Sequence, residues 1–509
     1  MSQQVTSGLL FYPRGGSAQV VRYLRRELRA RGWAVPLVVG SLGPRGAQTN
    51  ASTFFGDDQL SVMDYTAAVR DFTRCADPIA AAAPLHPSYE DRTGVPDRIF
   101  TAVSPALADH LTTSWRVLLE ESDLGETDIF HLHHLTPQYA AVAQLWPDTP
   151  IIGHLHGTEL KMIEHIIARR EVARLLGFDL ANTAGIESQE NSRAAIRMSP
   201  EQREIFRTTN WQQWRYGDFW EARLREYARH CCRLVVISPH DRDLVGALLG
   251  IGIEHIEWVP NGVDTLVFAR RTMSTSAKLA LLRHWLVEDP QGWDESGVPG
   301  SIRYADEDLR SFVDRDTGEM QPVLLYVGRY LDFKRVPLLI RAYQRARPLF
   351  DRPAPLLIWG GSPGEWEGMH PHTAANAGNP NGIFFVGWRG HEDLPYGLNC
   401  VDIMVAPSHS EPFGQVYLEA MAAGVPVIAS RSGGPLSFVN VDPHHPNGWL
   451  FPPDDLDALT ATLVEVVNNP DARRERGEDA YTQIRRDFSW TALAGRFEEV
   501  YRRELDAQK

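Results

Sequence analysis

Residues 402–430, DIMVAPSHSEPFGQVYLEAMAAGVPVIAS, open and close on the short apolar runs DIMVAPS and VPVIAS. Runs of this length, ending in polar or glycine-containing turns, read as buried parallel strands. Between them Gly414 and Gln415 are expected to open a helix through Ala423, with Gly424 stopping it. Strand, loop, helix and strand in that order make a βαβ unit, and with it a parallel sheet.

Upstream the same alternation runs through VLLYVGR, PLLIWGG and IFFVGW, so one α/β series is expected from about residue 321. A second series lies nearer the N-terminus. Residues 9–12 form an apolar run, 13–16 a turn, and Ser17 a candidate cap for a helix to about Arg31 with Val20, Val21, Leu24 and Leu28 as its stripe. Residues 35–39, DIFHLHHL, IIGHLHG, RLVVISP and HIEWVPNGVD continue it. Residues 41–126, rich in Ala and Pro around 76–97, read as an irregular insertion, and 269–320 as linker plus insertion. Residues 161–227 are helical in pattern, and Ser489 to Glu504 is a final amphipathic helix. The expected fold class is α/β, with two Rossmann-like domains at 1–268 and 321–486 facing a cleft.

Composition narrows the function. Sixty-five acidic against 51 basic residues, a formal charge of −14, argue against non-specific nucleic-acid binding and a polybasic membrane anchor. No apolar stretch is long enough to span a bilayer and the N-terminus has no signal-peptide pattern, so the expectation is a cytoplasmic protein without stable membrane insertion. Cys75, Cys231, Cys232 and Cys400 fit neither zinc spacing nor a disulfide framework and read as reduced thiols.

The loop and helix start at 411–419 carry chemistry. They follow a strand end, where α/β sheets bind ligands, and the first N–H groups of the helix suit a diphosphate. Glu419 inside the helix can accept both hydroxyl protons of a ribose, and Glu411 in the loop can reach a sugar ring. From spacing alone the two also read as solvated carboxylates flanking an ordinary turn. In LLYVGRYLDFKRVPLLIRAY, Arg329 and Lys334 follow another strand end. Two fixed cations there would stabilise a departing diphosphate more in the transition state than in the ground state. Either one alone reads equally as half of a surface ion pair.

SEPFGQVYLEAMAAG together with GRYLDFKR resembles the retaining glycosyltransferases of family 4, the sucrose-phosphate-synthase-like group of bacterial glycosyl transferases group 1, which have the GT-B fold. The resemblance covers Glu411 and Glu419, which bracket seven residues, and Arg329 with Lys334; Arg335 stands where the family often has glycine. VPNGVD at 259–264 looks like the end of that family's N-terminal domain. The resemblance further implies that Gly15 and Gly16 let backbone approach the donor and that His156 lies near the transferred sugar. It also implies that Pro412, Phe413, Gly414, Gln415 and Val416 line the donor, that Trp388 and Arg389 neighbour its base, and that the C-terminal helix (487–509) packs back on the N-terminal, acceptor domain.

The activity so implied is metal-independent, retaining transfer of a sugar from a nucleotide-sugar, a UDP-sugar first, to a small polar or sugar-like acceptor. No cofactor is required. A phosphorylase and a nucleotide-sugar epimerase of the same architecture are the rivals. His131 and His133 share one face of a strand, as do His154 and His156, the seed of a metal site. No further ligands stand at recognisable spacing, so no metal is expected. Oligomeric state, base, sugar and acceptor are not legible in the sequence.

Overall fold

The structure is a computed structural model that describes residues 3–72, 74, 76–90, 95–190 and 192–508; Cys75 lies outside them. The chain divides into two units, residues 1–259 with 494–509, and 260–493. The division falls just before the NGVD of the closing motif, ahead of residue 268.

The first unit is built on seven parallel strands, β1 (Val5–Leu9), β2 (Leu37–Ser41), β3 (Leu60–Asp64), β4 (Ile129–His133), β5 (Ile151–His154), β6 (Arg233–Val236) and β7 (Ile256–Trp258), in the order β3-β2-β1-β4-β5-β6-β7. Central strand β1 lies earlier than the apolar run at 9–12, because its sequence VTSGL hides a fully buried strand behind Thr6, Ser7 and Gly8. A Cβ at Gly8 would meet Leu132 Cδ2 at 2.5 Å, so close strand packing accounts for this glycine. The following helix, Gly15–Ala30, buries the expected stripe of Val20, Val21, Leu24 and Leu28. It begins two residues before Ser17, which therefore does not cap it; Gly15 at φ +67° makes the turn instead.

The region 41–126 is more regular than its composition suggests. It supplies edge strand β3, and its helix Pro105–Glu121, capped by Ser104, buries Leu111, Trp115 and Leu119. Helices Thr158–Leu175, Pro200–Thr208 and Gly217–Arg229 fill the stretch read as helical, and Trp211, Trp214 and Trp220 are core residues. From residue 494 the C-terminal helix Trp490–Asp506 counts with this unit. Phe497, Val500 and Tyr501 are buried on it, the Tyr501 hydroxyl shares a 2.6 Å hydrogen bond with His131 Nδ1, and Glu504 pairs with Arg233 at 2.6 Å.

The second unit holds six parallel strands, β8 (Leu324–Val327), β9 (Leu356–Trp359), β10 (Ile383–Gly387), β11 (Ile403–Ala406), β12 (Val427–Ser430) and β13 (Gly448–Phe451), in the order β10-β9-β8-β11-β12-β13. The five strands expected from sequence are joined by β13, whose four residues GWLF carry no boundary signal. Residues 269–320 are part of this unit and not a linker. Helix Thr275–Arg283 runs into a wide turn, and Trp285 and Trp293 are fully buried. Two indoles separated by a polar loop have no period, which hid this packing from a pattern search.

Among the described residues no helix is long and apolar enough to cross a membrane. Cys231, Cys232 and Cys400 are free thiols.

Candidate active site

In both sheets chain order reverses at one pair of strands, β1/β4 and β8/β11, and such reversal points open a crevice at the carboxyl ends of the strands. In the second unit the loops leaving β8 and β11 carry the two segments singled out above. They meet: Lys334 Nζ donates to Glu411 Oε2 at 2.5 Å, and the Ser408 hydroxyl donates to the same oxygen at 2.9 Å. Glu411 Oε1 keeps no hydrogen-bond partner among the described residues. Lys334 and Glu411 are 16% and 9% exposed, so the pair is largely withdrawn from solvent and weakly screened. Arg329, by contrast, is exposed, and its guanidinium has no partner among the described residues; the Tyr326 hydroxyl holds its carbonyl at 2.9 Å.

The turn before the helix Gln415–Ala422 is set by Gly414, at φ +90°, where a Cβ would strike the Tyr417 ring and approach Glu411 Cγ at 3.0 Å. A second glycine pair, Gly433 and Gly434 after β12, lies against the backbone of Glu411 and Phe413, and Gly434 N–H donates to Glu411 C=O at 2.8 Å. Sequence reasoning missed this pair and Ser408; the SGG at 432–434, directly after a strand, was the available signal.

Glu419 sits inside this helix, 6% exposed, its carboxyl with no hydrogen bond or ion pair among the described residues, and burial pushes that carboxyl up to about 8. An unpartnered buried carboxyl one turn into a helix whose first N–H groups face a strand-end loop can accept hydroxyl protons from a bound polyol.

Three residues placed with the donor turn inward instead. Phe413 is buried against Phe438, ring centroids 5.6 Å apart, and so its ring is a core contact. The Gln415 side-chain nitrogen donates to Gly262 C=O at 2.5 Å, which ties the helix start to the closing motif and leaves its backbone N–H for a ligand. The Arg389 guanidinium bonds Trp285 C=O at 2.9 Å, Asp289 C=O, and the Asp289 carboxylate at 3.0 Å, and is therefore spent inside the protein. Trp388 is 55% exposed; Pro412 and Val416 are half-buried.

In the first unit, Gly15 and Gly16 are exposed, and a Cβ on either would meet nothing within 4 Å. His156 belongs to a buried layer of imidazoles in which β4 and β5 pair His133 with His154. His131 Nε2 and His154 Nδ1 share a 3.2 Å hydrogen bond, and His133 Nδ1 and His156 Nε2 one of 3.1 Å. Burial lowers all four, His131 to about 3, and neighbouring imidazoles lower the other three further, so the layer is neutral at pH 7. The fold also supplies what spacing did not, a third histidine: candidate ligand nitrogens of His131, His133 and His154 lie within 4.8 Å of one another. Hydrogen bonds between the rings already occupy a nitrogen of each. Beside the layer, Glu159 is fully buried and pairs with His134 Nδ1 at 2.6 Å, while accepting the His156 N–H at 3.2 Å. His134 itself is held at φ +61°.

Two parallel sheets of this kind, one with a glycine turn after β1 and the other with a glycine turn and a cation–carboxylate pair at β8/β11, give the GT-B class. The sequence matches the family described as "Glycosyltransferase Family 4" over residues 14–266 and that described as "Glycosyl transferases group 1" over 310–483. The chain thus belongs to the family 4, group 1 glycosyltransferases, a transferase family. It is 35% identical over 192 residues to a D-inositol 3-phosphate glycosyltransferase of Corynebacterium glutamicum, and 33% identical over 180 residues to a glycogen synthase of Mycobacterium tuberculosis. Each match takes in 35% of this chain and only 43% and 42% of those relatives, less than half their length. In fold it is similar to sucrose-phosphate synthase from Thermosynechococcus elongatus (TM-score 0.59, 17% identity, 99% of this chain and 100% of that one). It is similar also to Anabaena Alr3699/HepE in complex with UDP and glucose (TM-score 0.56, 15% identity, 98% and 99%).

Proposed function

We propose that the protein is a retaining glycosyltransferase that moves a sugar from a nucleotide-sugar donor, a UDP-sugar first, to a small polar or sugar-like acceptor. The observation that carries this reading is the β8/β11 constellation: Lys334 paired with Glu411, an unpartnered Arg329, and buried Glu419 beyond a glycine-set helix start. The ribose hydroxyls donate to Glu419, the diphosphate lies on the helix N–H groups with Arg329 and Lys334, and Glu411 Oε1 takes a sugar hydroxyl.

In the reaction the bond between the anomeric carbon and the diphosphate oxygen breaks as negative charge gathers on the leaving group, where Arg329 and Lys334 stabilise it. The acceptor oxygen attacks from the same face and passes its proton to the departing phosphate oxygen. Direct inversion would need a general base on the opposite face, and no residue of the constellation is assigned that duty. With two cations meeting the donor charge, the proposed step needs no metal.

The test is proton NMR of the first-formed product in a reaction run in EDTA. An α linkage from an α-linked donor is expected; a β linkage would overturn retention, and loss of activity restored by a divalent ion would redirect attention to His131, His133 and His154.

A further inference from the structure

The segment 284–293 grips the far end of β10. Trp285, fully buried, meets Trp359 edge to face at 4.9 Å, at the end of neighbouring β9. Gln291 bridges Gly387 in parallel, and the two backbones approach so closely that a Cβ on Gly387 would strike Gln291 C=O, as one on Gly292 would strike Phe385 C=O. Gly387 is at φ +78°, where the register between β9 and β10 shifts. Next in the chain, Arg389 closes the grip: its side chain, only 4% exposed, holds Trp285 C=O, Asp289 C=O and the Asp289 carboxylate together. Gln291 Nε2 donates to that carboxylate at 2.8 Å. Trp388 alone of this turn presents a large exposed side chain.

We propose that segment 284–293 is a specificity-setting brace for the turn 387–389, with Arg389 as a positioning residue that holds the turn's backbone and the Trp388 indole in the one arrangement that reads the nucleobase. The inference rests on the donor-site reading above. Its physical ground is that bases differ in where they donate and accept hydrogen bonds, so only a turn whose peptide groups cannot rotate discriminates among them. With its guanidinium held inside, Arg389 contributes no charge to the diphosphate, and recognition at this turn is left to backbone and indole.

The experiment is titration calorimetry of the full chain with UDP, ADP and GDP, for the wild type, Arg389→Ala, Arg389→Lys and Asp289→Ala, with near-ultraviolet circular dichroism as the check on folding. Arg389→Ala should weaken the preferred nucleotide about tenfold while the others change less, so that the ranking compresses, because a loosened turn loses preorganisation. Arg389→Lys should recover part of the discrimination, and Asp289→Ala, which leaves both carbonyl contacts, should have a smaller effect in the same direction. Equal loss for all three nucleotides would mean that Arg389 touches the diphosphate, and unchanged affinities and ranking in folded variants would mean that the brace sets nothing; either overturns the proposal. A wild type that binds none of the three overturns the donor-site reading itself.

Discussion

At Glu419 a single carboxyl links stability to binding. Its folded value, raised by burial from 4.5 to about 8, means that between those pH values the folded chain keeps a proton the unfolded chain has released. Stability therefore falls as pH rises through that window, and the burial cost is fully present above pH 8. At about 1.4 kcal/mol per pKa unit the cost is on the order of a few kcal/mol. Glu419→Gln should unfold at a higher temperature than wild type above pH 8, with the gain vanishing below about pH 4.5. Above pH 8, where Glu419 is ionised, the same variant should lose about 1.5–3 kcal/mol of nucleotide affinity, the scale of hydrogen bonds to a charged group. Unchanged affinity by calorimetry would remove the ribose assignment. The two cations divide differently. Arg329→Ala, at an exposed site without a partner, should shift stability by no more than about 0.5 kcal/mol, yet lower kcat by about 10²–10³. Lys334→Ala should do both, because it strands the Glu411 carboxylate with Ser408 alone; breaking a fully buried pair costs about 3–5 kcal/mol, and partial exposure puts this one at or below the lower end. Chemical unfolding beside steady-state kinetics separates the two effects, and a pure KM effect would reassign both cations to ground-state binding.

Two glycine turns at helix-bearing loops make opposite demands. Gly434 is locked against Phe413 and Glu411, whereas Gly16, the second residue of its helix, faces open space. Gly434→Ala should cost about 1–3 kcal/mol through overpacking and weaken nucleotide binding by shifting the 408–414 loop. Gly16→Ala should leave stability unchanged or raise it by up to about 1 kcal/mol. Equal behaviour of the two variants in thermal unfolding would contradict the packing described here. Helices such as Gly15–Ala30 and Gln415–Ala422, and most strands, were legible because apolar period and glycine stops coincide there, whereas Pro105–Glu121 and Thr275–Arg283 lie in stretches read as irregular. Strands β1, β3 and β13 were not: their residues are polar, mixed or few, and what makes them strands is pairing with neighbours far away in the chain.

For the whole molecule, the C-terminal helix is the far-reaching element, since its last residues complete the first unit nearly 240 positions after β7. Truncation after residue 489 would strip Phe497, Val500 and Tyr501 from the face of that sheet and leave His131 without its hydroxyl partner. Each such side chain is worth about 1.5–3 kcal/mol, so together they rival the stability of a whole domain. Thermal unfolding of the truncated chain should show a large drop in Tm, and amide exchange should rise along β1 and β4. Wild-type protection in both strands would contradict a structural role for this helix.

By itself the sequence determined the α/β class, the two series of strands, and the type and spacing of Arg329, Lys334, Glu411 and Glu419. These are local properties, carried by periodicity, turn chemistry and short motifs. Only the tertiary structure decided that Lys334 is bound to Glu411 while Arg329 has no partner among the described residues, that Arg389, Gln415 and Phe413 face inward, and that His131, His133 and His154 on two strands share one buried layer with His156, just past the end of β5. Each of those outcomes depends on what lies opposite a side chain after strands distant in sequence have paired, and spacing along one strand carries no information about the strand beside it.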